Sequence, residues 1–123
     1  MMTYLKKSLF FLLAVCLLFG CGQPQSGADF RVKRVIDGDT VELENGQTVR
    51  YLGIDTPETR RKEGEKWIYS PDAYAEEAKE FNRKMVEGKS VRLEFDLQRA
   101  DKYKRLLAYC FVDGEFVNAR ILE

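Results

Sequence analysis

Histidine is absent from the 123-residue chain. Its absence removes imidazole general bases and zinc–histidine sites from consideration, because histidine is the side chain that titrates near neutral pH and the commonest metal ligand. Cysteine is scarce: Cys16 and Cys21 lie near the N-terminus and Cys110 lies far downstream. Three cysteines so placed do not suggest a disulfide framework, and Cys110, in an apolar strand-like run, reads as a small hydrophobe. An excess of positive charge is lacking as well, with 20 basic residues against 20 acidic ones. A protein that grips long duplex DNA by its backbone is strongly basic, so any nucleic-acid contact here should be local and metal-assisted. Nor is there an apolar run long enough to span a bilayer. Residues 8–19 are mostly apolar, but that is 12 residues where about 20 are needed.

That short apolar run follows Lys6 and Lys7, the charge pattern of a signal peptide. It ends in Leu18-Phe19-Gly20-Cys21, which resembles the bacterial lipoprotein cleavage box. The resemblance implies that residues 1–20 are removed and that Cys21 becomes the lipidated first residue. The alternative is an ordinary secretory signal with an incidental cysteine. Residues 22–29, rich in Gly, Gln, Ser and Ala, read as a flexible tether, and residues 30–123 as one small domain. Each buried methylene of an acyl chain adds about 0.8 kcal/mol, so a lipidated Cys21 would anchor the protein to the cell membrane on its extracytoplasmic side. Removing Lys6 and Lys7 leaves 18 basic against 20 acidic residues, a formal net charge of −2. With Cys16 lost and Cys21 acylated, Cys110 would have no partner.

Within the domain, residues 30–36 and 40–43 read as strands about a turn at Asp37-Gly38. Asn45-Gly46 is a hairpin signal leading to a third strand over residues 48–54, with Val49, Tyr51 and Gly53 on one face. Residues 60–69 read as a polar loop holding Trp67. Ser70-Pro71 predicts a helix start, with serine as cap and proline in the first turn. Tyr74, Ala78, Phe81 and Met85 predict its apolar stripe, and Gly88 its end. Val91, Leu93, Phe95 and Leu97 alternate with Arg92, Glu94 and Asp96, as in a half-buried strand. A charged loop over residues 98–105 precedes a strand over residues 106–112, and Phe116-Val117-Asn118 opens a second helix. Three strands, a helix and two strands, mainly β with helices (α+β), suit a five-stranded OB-type barrel of antiparallel strands. The rival is a flat α+β sandwich.

Asp37-Gly38-Asp39-Thr40 and Gly53-Ile54-Asp55-Thr56-Pro57-Glu58 each sit at the end of a strand-like segment, with Arg50 between them. Hard cations such as calcium take oxygen ligands. Asp39 and Asp55 would supply two, and a nearby main-chain oxygen a third. Glu58 is placed to hold or deprotonate a water, and Arg50 to face the same locus. A positioned water with positive charge on the phosphoryl oxygens is what phosphodiester cleavage needs. Taken singly, each feature has a plainer reading: a tight turn, a threonine cap, a solvated Arg105, a packing Trp67. The joint pattern carries the argument.

Residues 35–41 (Val-Ile-Asp-Gly-Asp-Thr-Val), 50–58 (Arg-Tyr-Leu-Gly-Ile-Asp-Thr-Pro-Glu) and 101–109 (Asp-Lys-Tyr-Lys-Arg-Leu-Leu-Ala-Tyr) closely resemble the thermonuclease, or staphylococcal nuclease-like, family from about Val32 onward. The resemblance implies an OB barrel and calcium-dependent endonucleolytic hydrolysis of DNA and RNA, single-stranded or denatured, to 3′-phosphate products, by a monomer. By position, Asp39, Asp55 and the Thr56 carbonyl would bind Ca2+, while Arg50 and Arg105 would hold the scissile phosphate. Glu58 would act on the attacking water, and Lys102 and Tyr103 would contact a neighbouring phosphate. Lys104 and Leu106 stand where the family often carries glycine. The family continues well past Asn118 with further helix, so one complete helix and a truncated second are expected here. The competing readings are a non-catalytic nucleic-acid-binding OB module and an inactive, shortened nuclease.

Overall fold

The structure is a computed structural model that describes residues 28–123. The expected signal peptide, the lipidated Cys21 and nearly all of the tether lie outside the described residues. Strands β1 (Asp29–Asp37), β2 (Thr40–Leu43) and β3 (Thr48–Tyr51) form an antiparallel meander. Next come a hairpin, β4 (Arg60–Glu63) and β5 (Lys66–Tyr69), and helix α1 (Ala75–Val86). The chain ends with β6 (Ser90–Ala100), β7 (Leu106–Val112), β8 (Glu115–Phe116) and the short α2 (Val117–Arg120). The main sheet runs β3-β2-β1-β6-β7-β8, and β3 also pairs with β7, which closes five strands into an OB-type barrel. That closing pair is parallel, so the barrel is not wholly antiparallel as expected. Among the described residues no helix is long and apolar enough to cross a membrane.

The barrel interior is made by alternation. Val32 and Val35 on β1, Val41 and Leu43 on β2, Val49 and Tyr51 on β3, Val91 and Leu93 on β6, and Ala108, Cys110 and Val112 on β7 are all buried. Each valine or leucine so buried contributes roughly 1.5–3 kcal/mol. Burial pushes the Cys110 thiol up to about 12, which leaves it protonated and inert, as a small hydrophobe should be. The alternation on β6 fails at its far end. Leu97, expected inside, is fully exposed, because β6 runs on past the barrel to Ala100 instead of giving way to a loop at residue 98.

Three further expectations are corrected. Residues 60–69 form the β4–β5 hairpin, in register from Arg60↔Tyr69 to Glu63↔Lys66, rather than a polar loop. Helix α1 begins at Ala75, not at Pro71. The Ser70 N–H donates to the Thr59 carbonyl at 3.1 Å and the Asp72 N–H to the Glu58 carbonyl at 2.9 Å, so residues 70–72 are tied to the preceding loop. The apolar stripe is also rotated by one position: Ala75, Asn82 and Val86 are buried while Tyr74 and Phe81 are exposed. A polar residue therefore occupies the centre of the buried face. The Asn82 amide donates to the Asp37 carbonyl at 3.1 Å, and its oxygen accepts from the Tyr51 hydroxyl at 3.0 Å. It pins α1 beneath the β1–β2 turn.

Asn118 does the same for the barrel's closure. Its side-chain oxygen accepts from the Cys110 N–H at 2.9 Å and its amide donates to the Leu52 carbonyl at 2.7 Å. It thus clips α2 across the parallel β3–β7 seam, where the Leu52 N–H also meets the Ala108 carbonyl at 2.9 Å. Removing the clip leaves buried backbone groups unpaired at 1–3 kcal/mol each. Asn118→Ala is expected to lower stability by about 3 kcal/mol in urea unfolding. A loss below about 1 kcal/mol would show that the seam closes without it.

Candidate active site

The β1–β2 connection is a tight turn closed by the Asp37↔Thr40 pair, with Gly38 and Asp39 at its tip. Gly38 has no room for a side chain. A Cβ there would lie 2.8 Å from both the Ala78 Cβ and the Thr56 Oγ1, well inside van der Waals contact. Its hydrogen lets the turn dock between α1 and the segment after β3, and that docking turns Asp39 inward.

Asp39 is 1% exposed, and a buried carboxylate needs both charge and hydrogen bonds to be tolerated. It accepts from the Thr40 hydroxyl at 2.8 Å and from the Thr56 N–H at 2.9 Å. Its cationic partner is Arg50 on β3, whose Nη2 stands 3.2 Å from Asp39 Oδ2. The same Nη2 lies 2.9 Å from Asp55 Oδ1. Nη1 donates to the carbonyls of Tyr51 at 2.9 Å and Ile54 at 2.7 Å. One guanidinium thus holds the turn over residues 51–55, with Gly53 at φ +76°, and brings two carboxylates to one nitrogen. Asp55 is the wet member of the pair, its side chain 88% exposed.

Beside this cluster, Asp37 accepts from the Thr59 N–H at 3.2 Å and from the Thr59 hydroxyl, which fixes the segment carrying Glu58. Desolvation, and then the negative charges of Asp37 and Asp39, push the Glu58 carboxyl up to about 7, against the opposing pull of Arg50. Carboxylates therefore outnumber the cations at this locus.

Arg105 approaches from the other side. Its Nε donates to Asp101 Oδ2 at 2.8 Å, and its N–H to Asp101 Oδ1 at 3.0 Å. Burial alone would raise the Asp101 carboxyl, but these bonds and one from the Tyr103 N–H hold it below its ordinary value. Arg105 shares a cavity of about 330 Å³ with Asp37, Glu58 and Trp67, and a neighbouring one of about 780 Å³ with Glu58, Tyr103 and Trp67. Lys104 takes φ +64°, a left-handed conformation that costs a residue with a Cβ roughly 1–2 kcal/mol. That cost accounts for the fit of glycine at this position, yet Arg105 still lines the cavity.

The structure brings Asp39, Arg50, Asp55 and Thr56 into one cluster, with Glu58 and Arg105 both lining the adjoining cavity. Tyr103 borders the larger cavity, and Lys102 sits beyond it, its Nζ 5.0 Å from the Tyr103 ring centre. Sequence reading took Asp37 for a turn residue and Trp67 for packing. The structure places both at the site, and the Asp-x-Asp spacing was the signal for the first. Among the described residues no three acidic side chains gather closely enough to hold a metal ion by themselves. Asp39 and Asp55 converge on the Arg50 nitrogen; with the adjoining Thr56 they offer oxygen donors only, the ligand type that a hard cation keeping several waters takes.

Residues 48–123 match the family model described as staphylococcal nuclease homologue. The chain is 41% identical over 99 residues to the SPbeta prophage-derived endonuclease YokF of Bacillus subtilis (strain 168), covering 77% of this chain and 32% of that protein. It is 44% identical over 94 residues to endonuclease YncB of the same organism, covering 73% and 42%. To the thermonuclease of Staphylococcus intermedius it is 39% identical over 99 residues, covering 77% and 55%. The chain spans from about a third to just over half the length of these curated relatives.

Proposed function

The chain belongs to the staphylococcal nuclease family, and we propose that it is a phosphodiesterase acting endonucleolytically on single-stranded or denatured DNA and RNA with calcium as cofactor. The observation that carries this reading is the placement of Glu58 and Arg105 on one cavity beside the Asp39–Arg50–Asp55 cluster. Asp39, Asp55 and the Thr56 carbonyl would hold the cation, which when bound would supply positive charge to the phosphoryl oxygens. Arg105 and Arg50 would neutralise charge on the phosphate as it grows in the transition state. Glu58 would take a proton from the attacking water. The water oxygen would then bond to phosphorus as the bond to the 5′ oxygen breaks, the departing 5′ oxygen taking up a proton from solvent, which leaves a 3′-phosphate and a 5′-hydroxyl. A monomer suffices, since every named group comes from one chain. A lipid on Cys21 would keep this activity at the outer face of the cell membrane.

A second reading, a barrel that binds nucleic acid without cleaving it, is favoured by the exposed Trp67 and Tyr103 at the cavities. Hydrolysis of heat-denatured DNA by the purified full chain separates the two. Cleavage with calcium that a chelator abolishes is expected, and no cleavage in either condition would leave the binding reading. Arg105 is a part-exposed loop residue whose backbone bond to Asp101 survives truncation. Arg105→Ala should therefore slow turnover by about 10²–10³-fold while shifting unfolding stability by under about 1 kcal/mol; equal losses in both would refute a catalytic role. Radioactive fatty acid should label the wild-type protein in cells and not Cys21→Ala, and persistent label in the variant would end the anchoring proposal.

A further inference from the structure

Beside the cavities stands the β4–β5 hairpin, a two-stranded sheet of its own. Its register sets Arg60 opposite Tyr69 and Lys62 opposite Trp67. Directly opposed residues share a face of an antiparallel pair, as do residues two apart on one strand. Two cations and two aromatic rings therefore lie on one face, while Arg61, Glu63, Lys66 and Ile68 lie on the other. On that second face Arg61 and Glu63 are paired at 3.1 Å. Among the described residues Arg60 and Lys62 form no ion pair.

Trp67 is 66% exposed and Tyr69 67%. Isolated two-stranded hairpins are marginal in water, so leaving the largest side chain of this one in solvent forgoes burial that the hairpin could use. Arg60, Lys62 and Trp67 line the larger cavity together with Glu58, Tyr103 and Arg105. The face is therefore continuous with the groups assigned above to the phosphate. Unpaired cations interleaved with a flat ring complement one ligand chemistry closely: an anionic backbone bearing unstacked planar bases.

We propose that the cavity-lining face of the β4–β5 hairpin is a stacking subsite for single-stranded nucleic acid, in which an unpaired base lies on Trp67 and the flanking phosphates meet Arg60 and Lys62. The proposal rests on the nuclease reading only for the identity of the substrate whose scissile phosphate lies next door. It adds a source of strand selectivity. Bases inside a duplex are already stacked and cannot offer a face to the indole, so the subsite discriminates against duplex without reading sequence.

Trp67 is the sole tryptophan, so intrinsic fluorescence reports on this position without a label. The purified full chain, with chelator present to prevent cleavage, would be titrated with oligothymidylate of about a dozen nucleotides, within the usual span of a single-strand site. A parallel titration would use an abasic deoxyribose-phosphate oligomer of the same length and charge. Saturable quenching by oligothymidylate is expected, with affinity about 10-fold above that of the abasic oligomer. Trp67→Leu should lose that advantage, followed by anisotropy of a labelled oligonucleotide, and Trp67→Tyr should keep most of it. Both changes are at an exposed position, and circular dichroism would verify the fold. Unchanged fluorescence, equal affinity for the abasic oligomer, or an unaffected Trp67→Leu variant would each overturn the subsite. Quenching without calcium-dependent cleavage would uphold the subsite and refute the nuclease reading. Cleavage with an unquenched Trp67 would do the reverse.

Discussion

The guanidinium of Arg50 ties the β1–β2 turn to the turn after β3, alongside the Thr56 N–H that also bonds Asp39. It meets Asp39 at the end of the neighbouring strand, fixes the turn after β3 through two carbonyls, and meets Asp55 at the turn's end. Asp39 is fully buried at this contact, and a buried carboxylate stripped of its cation costs roughly 3–5 kcal/mol. Lysine could neutralise that charge but could not reproduce the fork, since one ammonium cannot engage two carbonyls and two carboxylates in a plane. The turn geometry and the placing of the acidic groups are therefore consequences of one side chain's shape as much as of its charge.

Support for that centre comes from beneath. Asn82 on α1 bonds the carbonyl of Asp37 and, through Tyr51, the interior of β3. Gly38 leaves the space in which α1, the β1–β2 turn and Thr56 meet. Asp37 carries the link onward to Thr59 and so to the backbone that bears Glu58. Residues 58 and 59 in turn hold residues 70 and 72, which postpones the start of α1. Helix, turn and the loop that bears Glu58 thus form one hydrogen-bonded unit.

The sequence carried the barrel and the polar cluster because both are written in local signals. Period-two alternation at Val41, Leu43, Val49 and Tyr51 marks the inner wall, and Asp-Gly-Asp with Asp-Thr-Pro-Glu marks the strand ends that meet at the mouth. What escaped it depended on long-range partners. Ser70-Pro71 has the local chemistry of a helix start, yet the Thr59 and Glu58 carbonyls capture the Ser70 and Asp72 N–H groups first. Asn82 looks like a solvated residue on a helix until Tyr51 and Asp37 are seen beneath it. The β4–β5 hairpin has no buried face to produce alternation; only Gly64, at φ +61° between two four-residue runs, betrays its turn. Leu97 misled for the complementary reason, since the alternating pattern continues beyond the point where β6 leaves the barrel.

A domain whose charges nearly cancel has no general attraction for a polyanion, so attraction must arise locally, and the site's own charge works against it. Asp39 and Asp55 meet Arg50 directly, and the Glu58 carboxyl is pushed up to about 7 first by burial and then by the negative charges of Asp37 and Asp39. A phosphate brought to this mouth would be repelled unless positive charge were added or lay close by. The proposed calcium would supply the first. The second is present in Arg105 and in Arg60 and Lys62 along the cavity wall, the latter two without an ion pair among the described residues. Such short-range attraction is screened beyond about 10 Å at moderate salt, so it holds a strand already seated and does little to draw one in. The flat face of Trp67 then matters for a physical reason: stacking is insensitive to salt in a way that phosphate contacts are not, and it gives a nearly neutral protein a grip on its substrate that charge alone cannot provide.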